Sequence, residues 1–119
     1  MMDAAGLARR MEREREFWVD VAPGKRIKFL RPLMDEARTF GAEFNMANVC
    51  KFLRGWEGIT EGDLIAGNSP APVEFDVDLA TALLRDHIGW AQKAARALGV
   101  ELSARAELTS NAEKNSETS

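Results

Sequence analysis

The chain has 119 residues, of which 45% are hydrophobic and 29% are charged, and it carries a formal net charge of −3. This length favours one domain with a core of its own, and the negative charge argues against a strongly basic nucleic-acid binder. A single cysteine, Cys50, excludes an internal disulfide and any zinc site built from several thiolates, and it fits a reducing, cytoplasmic setting.

The chain opens on a charged arm followed by a β-hairpin. Residues 1–13 consist largely of good helix formers with few apolar side chains, which predicts a marginal helix that needs a packing partner. Apolar and polar residues then alternate over 17–21 and again over 26–31, as in two strands that each bury one face. Pro23 and Gly24 supply the turn between them. Because an isolated hairpin is marginal in water, its apolar face must pack on other elements.

Helical patterns follow the hairpin. A short helix is predicted over 33–40, and apolar residues at helical spacing predict a second helix over 45–55. Residues 59–75 are rich in Gly, Pro, Asn and Ser, which predicts a loop. One helical turn over 60–65, with Thr60 as its cap, interrupts this loop.

The longest helix is predicted last. Asp76 is a suitable N-cap for a helix over 77–98, and Gly99 is a natural residue to end it. Gly89, inside this helix, permits a close helix crossing or a slight kink. The remaining residues, 103–119, are polar and nearly free of large apolar groups, so we predict that they are disordered.

These elements predict an α+β fold in which an N-terminal β-hairpin packs on a small bundle of three to four helices. We divide the chain into an N-terminal arm or marginal helix over 1–13, one α+β domain over 14–102 and a disordered polar tail over 103–119. No run approaches the ~20 apolar residues of a membrane-spanning helix. The first residues also lack the apolar core of a secretory signal, so we expect a cytoplasmic location and no membrane partner.

Few residues suggest catalysis. His87 is the only side chain that titrates near neutrality, and its neighbour Asp86 does not face it on a helix. We interpret His87 as a helix-surface or half-buried histidine, and Cys50 as a buried structural thiol on an apolar helix face. The carboxylate spacings do not match a calcium loop. We therefore predict a protein that is not an enzyme and that has no catalytic, metal-binding or cofactor-binding residues.

Charge is segregated into two stretches. Four cations fall within seven residues of the hairpin, namely Lys25, Arg26, Lys28 and Arg31. Six carboxylates follow between positions 57 and 78, and no Lys or Arg occurs from Gly55 to Leu84. The cations fit either a nucleic-acid patch or a charged outer strand that discourages edge pairing, and the carboxylates fit either a solvated loop or a protein-binding edge. The two stretches meet either within one chain or between copies.

Aromatic residues supply candidate anchors. Trp18 lies opposite Phe17 and Val19 on its strand, so it is expected to be exposed and to anchor a partner. Trp56 and Trp90 are expected to fill the core. The candidate partner-binding residues combine the exposed tryptophan with charged hairpin positions and with acidic and apolar loop positions: Trp18, Lys25, Arg26, Lys28, Arg31, Glu57, Ile59, Leu64 and Ile65.

Three segments and a long helix resemble a known family. Residues 16–32 (EFWVDVAPGKRIKFLRP) resemble the opening of the tail assembly chaperones of long-tailed phages and prophages. Residues 52–60 (FLRGWEGIT), then 70–76 (PAPVEFD) and a long helix bearing Trp90, resemble the second half of these proteins. The resemblance covers about residues 14–98. Its matching positions organise a turn and a helix start: Trp56, Gly58, Pro72, Phe75 and Asp76.

The resemblance implies a binding role without catalysis. Such chaperones coat the long, aggregation-prone helices of the tape measure protein and keep it soluble until the tail tube polymerises. The implied partners are the tape measure protein, the tail tube protein and further copies of the chain, in the cytoplasm of a bacterial host and not in the mature virion. Two alternatives stay open: a structural minor tail or connector protein of the virion, and a small nucleic-acid-binding regulator that uses the cations of the hairpin.

Overall fold

A computed structural model describes residues 3–38 and 45–118 of the chain. A three-stranded antiparallel sheet packs against helices, so the predicted α+β class is confirmed. The elements in chain order are α1 (Ala4–Glu14), β1 (Glu16–Ala22), β2 (Lys25–Leu30), α2 (Met34–Arg38), α3 (Met46–Cys50), β3 (Leu53–Glu57), α4 (Glu61–Leu64), α5 (Val77–Asp86) and α6 (Ile88–Thr118).

β1 and β2 form the predicted hairpin. Val19 lies opposite Ile27 and Phe17 lies opposite Phe29, so the alternating apolar residues share one face of the sheet. Gly24, in the turn, has a φ of 74°, a left-handed conformation that favours glycine. The hairpin is therefore confirmed, and its apolar face forms one side of the core.

β3 is a strand whose first residues the sequence pattern assigns to the helix over 45–55. It pairs with the free side of β2, which gives the strand order β1-β2-β3. Asn45 caps α3 by accepting a hydrogen bond from Asn48 N–H at 2.9 Å, but α3 ends at Cys50. The prediction of a helix over 45–55 is therefore wrong in its second half.

A β-bulge explains why β3 resembles a helix in sequence. Leu53 and Gly55 lie opposite consecutive residues of β2, which leaves Arg54 as an extra residue. The bulge returns Leu53 and Trp56 to the same buried face although they are three positions apart. That separation is also typical of one helix face, so periodicity alone does not distinguish the two structures.

The helix predicted over 77–98 is interrupted at His87. α5 ends just before this residue, which has φ −115° and ψ 78°, and α6 starts just after it. The His87 Nε2 atom lies 3.0 Å from the backbone oxygen of Asp63, and the imidazole stacks on Trp90 with ring centroids 4.2 Å apart. The contact with Asp63, which is distant in sequence, together with the local stacking on Trp90, holds a non-helical residue where the local pattern favours a continuous helix.

α6 continues past the predicted stop at Gly99 and ends at Thr118. The structure therefore differs from the predicted disorder over 103–119, because 103–118 are helical. No glycine or proline follows Gly99 up to the end of this helix, and Ala and Glu, both good helix formers, are frequent there. A single glycine costs a helix about 1 kcal/mol relative to alanine, which this composition offsets.

The core lies between the apolar face of the sheet and the helices α3, α5 and α6. Its buried side chains are Val19, Val21, Ile27, Phe29, Val49, Phe52, Leu53, Trp56, Ile59, Ala80, Leu83, Leu84, Ala91, Ala94 and Leu98. Each large apolar side chain buried in this way contributes roughly 1.5–3 kcal/mol to folding. Among residues 3–38 and 45–111, no polar or charged side chain is buried.

The two short N-terminal helices lie outside this core. Asp3 caps α1 by accepting a hydrogen bond from Gly6 N–H at 2.7 Å, and no residue of α1 is buried. α2 occupies the first part of the helix predicted over 33–40. The end of that prediction, with its stop at Gly41, lies outside the described residues.

Candidate functional site

Two ion pairs join the basic hairpin to the acidic stretch. Lys25 Nζ lies 2.6 Å from Asp63 Oδ2, and Arg26 Nη2 lies 2.7 Å from Glu57 Oε2. The first pair is largely covered by neighbouring groups, whereas the second is exposed to solvent. The two charged stretches therefore meet within one chain, which is one of the two arrangements that the sequence allows.

Trp18 lies on the outer face of the sheet and is 36% exposed. The Arg26 guanidinium carbon is 4.1 Å from the centroid of its ring, and Lys28 Nζ is 5.1 Å from it. Lys28 also lies 3.3 Å from a carboxylate oxygen of Glu16. Cation–π contacts at exposed sites contribute about 0.5–1 kcal/mol, so these two cations partly cover the ring and stabilise its position.

The three apolar loop candidates have different surroundings. Ile59 is buried in the core, so it supports folding and is not part of an exposed surface. Leu64 packs partly against the core, and Ile65 is exposed. The loop after β3 folds back on the sheet, and Val73 N–H donates to the backbone oxygen of Ile59 at 3.0 Å. This contact joins residues that are far apart in sequence. A local pattern therefore does not show that Ile59 is buried while Ile65 is exposed.

Trp56 attaches this loop to the sheet. Its indole N–H donates to the backbone oxygen of Val73 at 2.7 Å, and its ring meets Phe75 edge to face with centroids 5.5 Å apart. Pro72 forms an isolated β-bridge with Thr60. Together these contacts draw the second half of the loop onto the core.

Gly58 and Asp76 determine how the loop begins and how α5 starts. Gly58 has a φ of 78°, and it approaches the hairpin turn so closely that a Cβ atom would lie 2.0 Å from the backbone oxygen of Gly24. Asp76 accepts a hydrogen bond from Leu79 N–H at 3.0 Å and so caps α5. The positions that carry the family resemblance thus make contacts that organise the fold.

The Asp63 carboxylate links α4 to the hairpin. It accepts hydrogen bonds from Lys25 Nζ at 2.6 Å, from Thr60 N–H at 2.8 Å and from the Thr60 hydroxyl at 3.1 Å. Thr60 is the N-cap of α4, as predicted. Burial raises the pKa of Asp63, but the hydrogen bonds from Lys25 and Thr60, together with the Lys25 charge, outweigh burial and hold this pKa below its ordinary value.

Replacing Asp63 with asparagine is expected to destabilise the protein at neutral pH but not in strong acid. Because its folded-state pKa is lowered, the Asp63 charge stabilises the fold fully above the unfolded pKa of about 4, and this stabilisation is lost as the pH falls through the lowered value. The urea midpoints of wild type and D63N should differ at neutral pH and converge toward about pH 2. The exposed Glu57→Gln is the control and should shift the midpoint little at either pH. A difference for D63N that does not change with pH would contradict this account.

His87 and Cys50 are half-buried and make structural contacts. Burial raises the pKa of the Cys50 thiol, and a hydrogen bond with Thr81 and the charge of Arg85 offset only part of this rise. Across the ranges that the structure describes, no group of three or more His, Cys, Asp or Glu side chains is arranged to hold a metal ion. Within the same ranges, none of the helices combines the length and the apolar character needed to cross a membrane.

An open groove between α1 and α6 is the surface that the sequence analysis does not predict. Its volume is about 650 Å³. On α1 its lining residues are Leu7, Arg10, Met11 and Glu14. On α6 they are Glu101, Ala104, Arg105 and Leu108. Both sets fall at i, i+3, i+4 and i+7, which places each on a single face of its helix, and Leu33 adds a further apolar side chain.

Arg15 fixes the end of α1 beside the sheet. Its Nε donates to the backbone oxygen of Arg31 at 2.8 Å, and Arg31 N–H donates to the backbone oxygen of Arg15 at 2.7 Å. The Arg15 guanidinium also lies 3.6 Å from a carboxylate oxygen of Glu36. α1 is therefore held at its C-terminal end, while Leu7 and Met11 stay exposed.

A scan against protein-family models, a search of curated proteins and a search of solved structures each gave no match to this chain. The functional interpretation therefore depends on the residues and their arrangement in the fold.

Proposed function

We propose that this protein is a phage tail assembly chaperone that binds the tape measure protein and keeps it soluble during tail assembly, without catalysis. The observation that carries the proposal is the groove between α1 and α6. Four large apolar side chains line this groove and are exposed to solvent: Leu7, Met11, Leu33 and Leu108. Uncovered apolar side chains that adjoin one another are typical of a protein–protein contact.

The shape of the groove favours a helical partner. Each wall is one face of an α-helix, and the lining residues span eight positions on each wall, about 10 Å or two helical turns. A third helix laid between them buries its own apolar face, which is the helix-in-groove mode of recognition. Because the groove is open to solvent, such a helix enters and leaves without unfolding of the core.

The family resemblance supports a tape measure protein as the partner. The chaperones that residues 14–98 resemble coat long tape measure helices before the tail tube displaces them. The matching segments, 16–32 and 52–60, supply most of the three-stranded sheet, and this sheet anchors α1 through residue 31. The sheet is thus the scaffold, and the groove is the contact surface.

Co-expression with the tape measure protein of the same phage tests the proposal. We expect a larger soluble fraction of the tape measure protein and its co-purification with this chain. Met11→Glu and Leu108→Glu, at side chains that are 65% exposed in the groove, should abolish both effects because they place a carboxylate on its apolar lining. Ile88→Glu and Val100→Glu are matched controls, since these side chains are 64% and 62% exposed but do not line the groove.

Two results would contradict the proposal. The first is an unchanged soluble fraction together with no co-purification by the wild-type chain. The second is the presence of the chain in purified phage particles at a fixed copy number, which would instead favour a minor tail or connector protein.

A further inference from the structure

The residues that line the groove carry a net positive charge, whereas the whole chain carries a net negative charge. Four of the residues that line it are arginines and two are glutamates, although the chain as a whole has a net charge of −3. Arg10 lies 3.6 Å from a Glu14 oxygen, and Arg15 lies 3.6 Å from a Glu36 oxygen. The apolar surface is thus bordered by an excess of positive charge.

Three of these arginines, Arg15, Arg31 and Arg105, line the groove together. Burial lowers the pKa of Arg31, and the charges of Arg105 and Arg15 lower it further, while Glu101 raises it in part. Within 3–38 and 45–111, where side chains are described, no carboxylate forms an ion pair with Arg31 or Arg105. A carboxylate that binds these guanidinium groups relieves the repulsion between them. A partner that carries both carboxylates and apolar side chains would therefore satisfy the charges and cover the apolar surface.

We infer that the groove selects an acidic amphipathic helix, whose apolar stripe covers Leu7, Met11 and Leu108 and whose carboxylates bind Arg31 and Arg105. This inference rests on the proposed function, since it specifies which segment of a protein partner enters the groove. Guanidinium groups bind carboxylates through two parallel hydrogen bonds, so acidic residues that flank the apolar stripe also fix its register. A helix with basic flanks is rejected by the same groups.

Labelled peptides test the charge preference on the full chain. The probe is a 21-residue helical peptide with leucines on one face and glutamates beside them, compared with the same peptide carrying glutamine or lysine in place of glutamate. Fluorescence anisotropy at low salt should give an affinity about tenfold higher for the glutamate peptide than for the glutamine peptide, and weaker binding still for the lysine peptide. This difference should shrink as the ionic strength rises.

Arg105→Gln is the decisive variant because Arg105 is exposed on α6 and its loss leaves the core intact. It should reduce the preference for the glutamate peptide to within about threefold, without changing the affinity for the glutamine peptide. Arg105→Glu should shift the preference toward the lysine peptide. The control is Arg96→Gln, an equally exposed change on α6 outside the groove, which should keep the full preference.

Several outcomes overturn the inference. Equal affinities for the glutamate and glutamine peptides, or no binding of either peptide, remove the charge preference. A dimer in sedimentation equilibrium that Leu108→Glu converts to a monomer identifies a second copy as the occupant. Displacement of the glutamate peptide by a single-stranded oligonucleotide at lower concentration identifies a nucleic acid instead.

The same experiments separate this inference from the proposed function. If the wild-type chain solubilises the tape measure protein and L108E does not, but the peptides bind without regard to charge, the inference fails and the proposed function stands. If the glutamate peptide is preferred but the tape measure protein stays insoluble and unbound, the proposed function fails.

Discussion

Replacing Gly58 with alanine is expected to destabilise the fold by about 3–5 kcal/mol, near the upper end for single substitutions. Gly58 has a φ of 78°, and an added Cβ would lie 2.0 Å from the backbone oxygen of Gly24. It would also lie 3.3 Å from the Cα of Lys25. Because these neighbours are backbone atoms, no side-chain rotation relieves the overlap, and the hairpin turn must move away from β3. Urea unfolding followed by tryptophan fluorescence measures the loss.

Gly24 provides the matched control for this prediction. Its φ is 74°, almost the same as that of Gly58, but a Cβ there would meet nothing within 4 Å. Gly24→Ala should therefore cost only the conformational part, about 1–2 kcal/mol. Gly99→Ala, in the interior of α6 with nothing within 4 Å, should stabilise the protein by up to about 1 kcal/mol. Equal losses for G58A and G24A would contradict the overlap as the cause.

The sequence pattern correctly predicts the elements that are set by neighbouring residues, such as a turn or a helix cap. The hairpin follows from the alternation around Pro23 and Gly24, and the start of α5 follows from Asp76 as its cap. The sequence pattern does not predict β3, because the bulge places its apolar residues at i, i+3, a spacing typical of a helix. It does not predict the break at His87 either, because a backbone oxygen of α4 holds the imidazole. In both cases a tertiary contact overrides the periodicity on which the prediction depends.

The sequence does not predict the groove, again because the groove depends on contacts between distant parts of the chain. Its two walls lie at opposite ends of the chain, and each wall has only a narrow apolar stripe. The stripe on α1 is visible as Leu7 and Met11, one turn apart, but Leu108 falls in the tail that composition predicts to be disordered. Only the folded chain brings these three residues to one surface.

The four cations of the hairpin are close together in sequence, but the fold gives them different surroundings. Lys25 is paired with Asp63 of α4, Arg26 with Glu57 at the end of β3, and Lys28 with Glu16. Arg31, the last of the four, instead lies against α1 and lines the groove. The arginines that line the groove, Arg10, Arg15, Arg31 and Arg105, therefore come from distant parts of the chain, and only Arg31 belongs to the basic run in the sequence.

Replacing Trp56 with alanine is expected to cost about 3–5 kcal/mol of stability, as large-to-small changes of buried aromatic residues do. Trp56 is only 9% exposed, and its indole lies between the sheet and the loop, with Val73 and Phe75 as its partners. Its removal leaves a cavity and also frees the second half of the loop, so the change should increase protease cleavage between 66 and 74. Guanidinium unfolding and limited proteolysis measure the two effects.

Two further variants separate the causes of this loss. Trp56→Phe retains most of the buried ring but removes the hydrogen bond to Val73, so it should cost about 1–2 kcal/mol. Trp18→Ala removes the same side chain from a site that is 36% exposed, and it should cost about 1 kcal/mol or less because it loses mainly the contacts with Arg26 and Lys28. If W18A and W56A were equally destabilising, the loop would not depend on its attachment through Trp56. A larger loss for W56A, accompanied by cleavage of the loop, identifies Trp56 as the residue that joins the loop to the core.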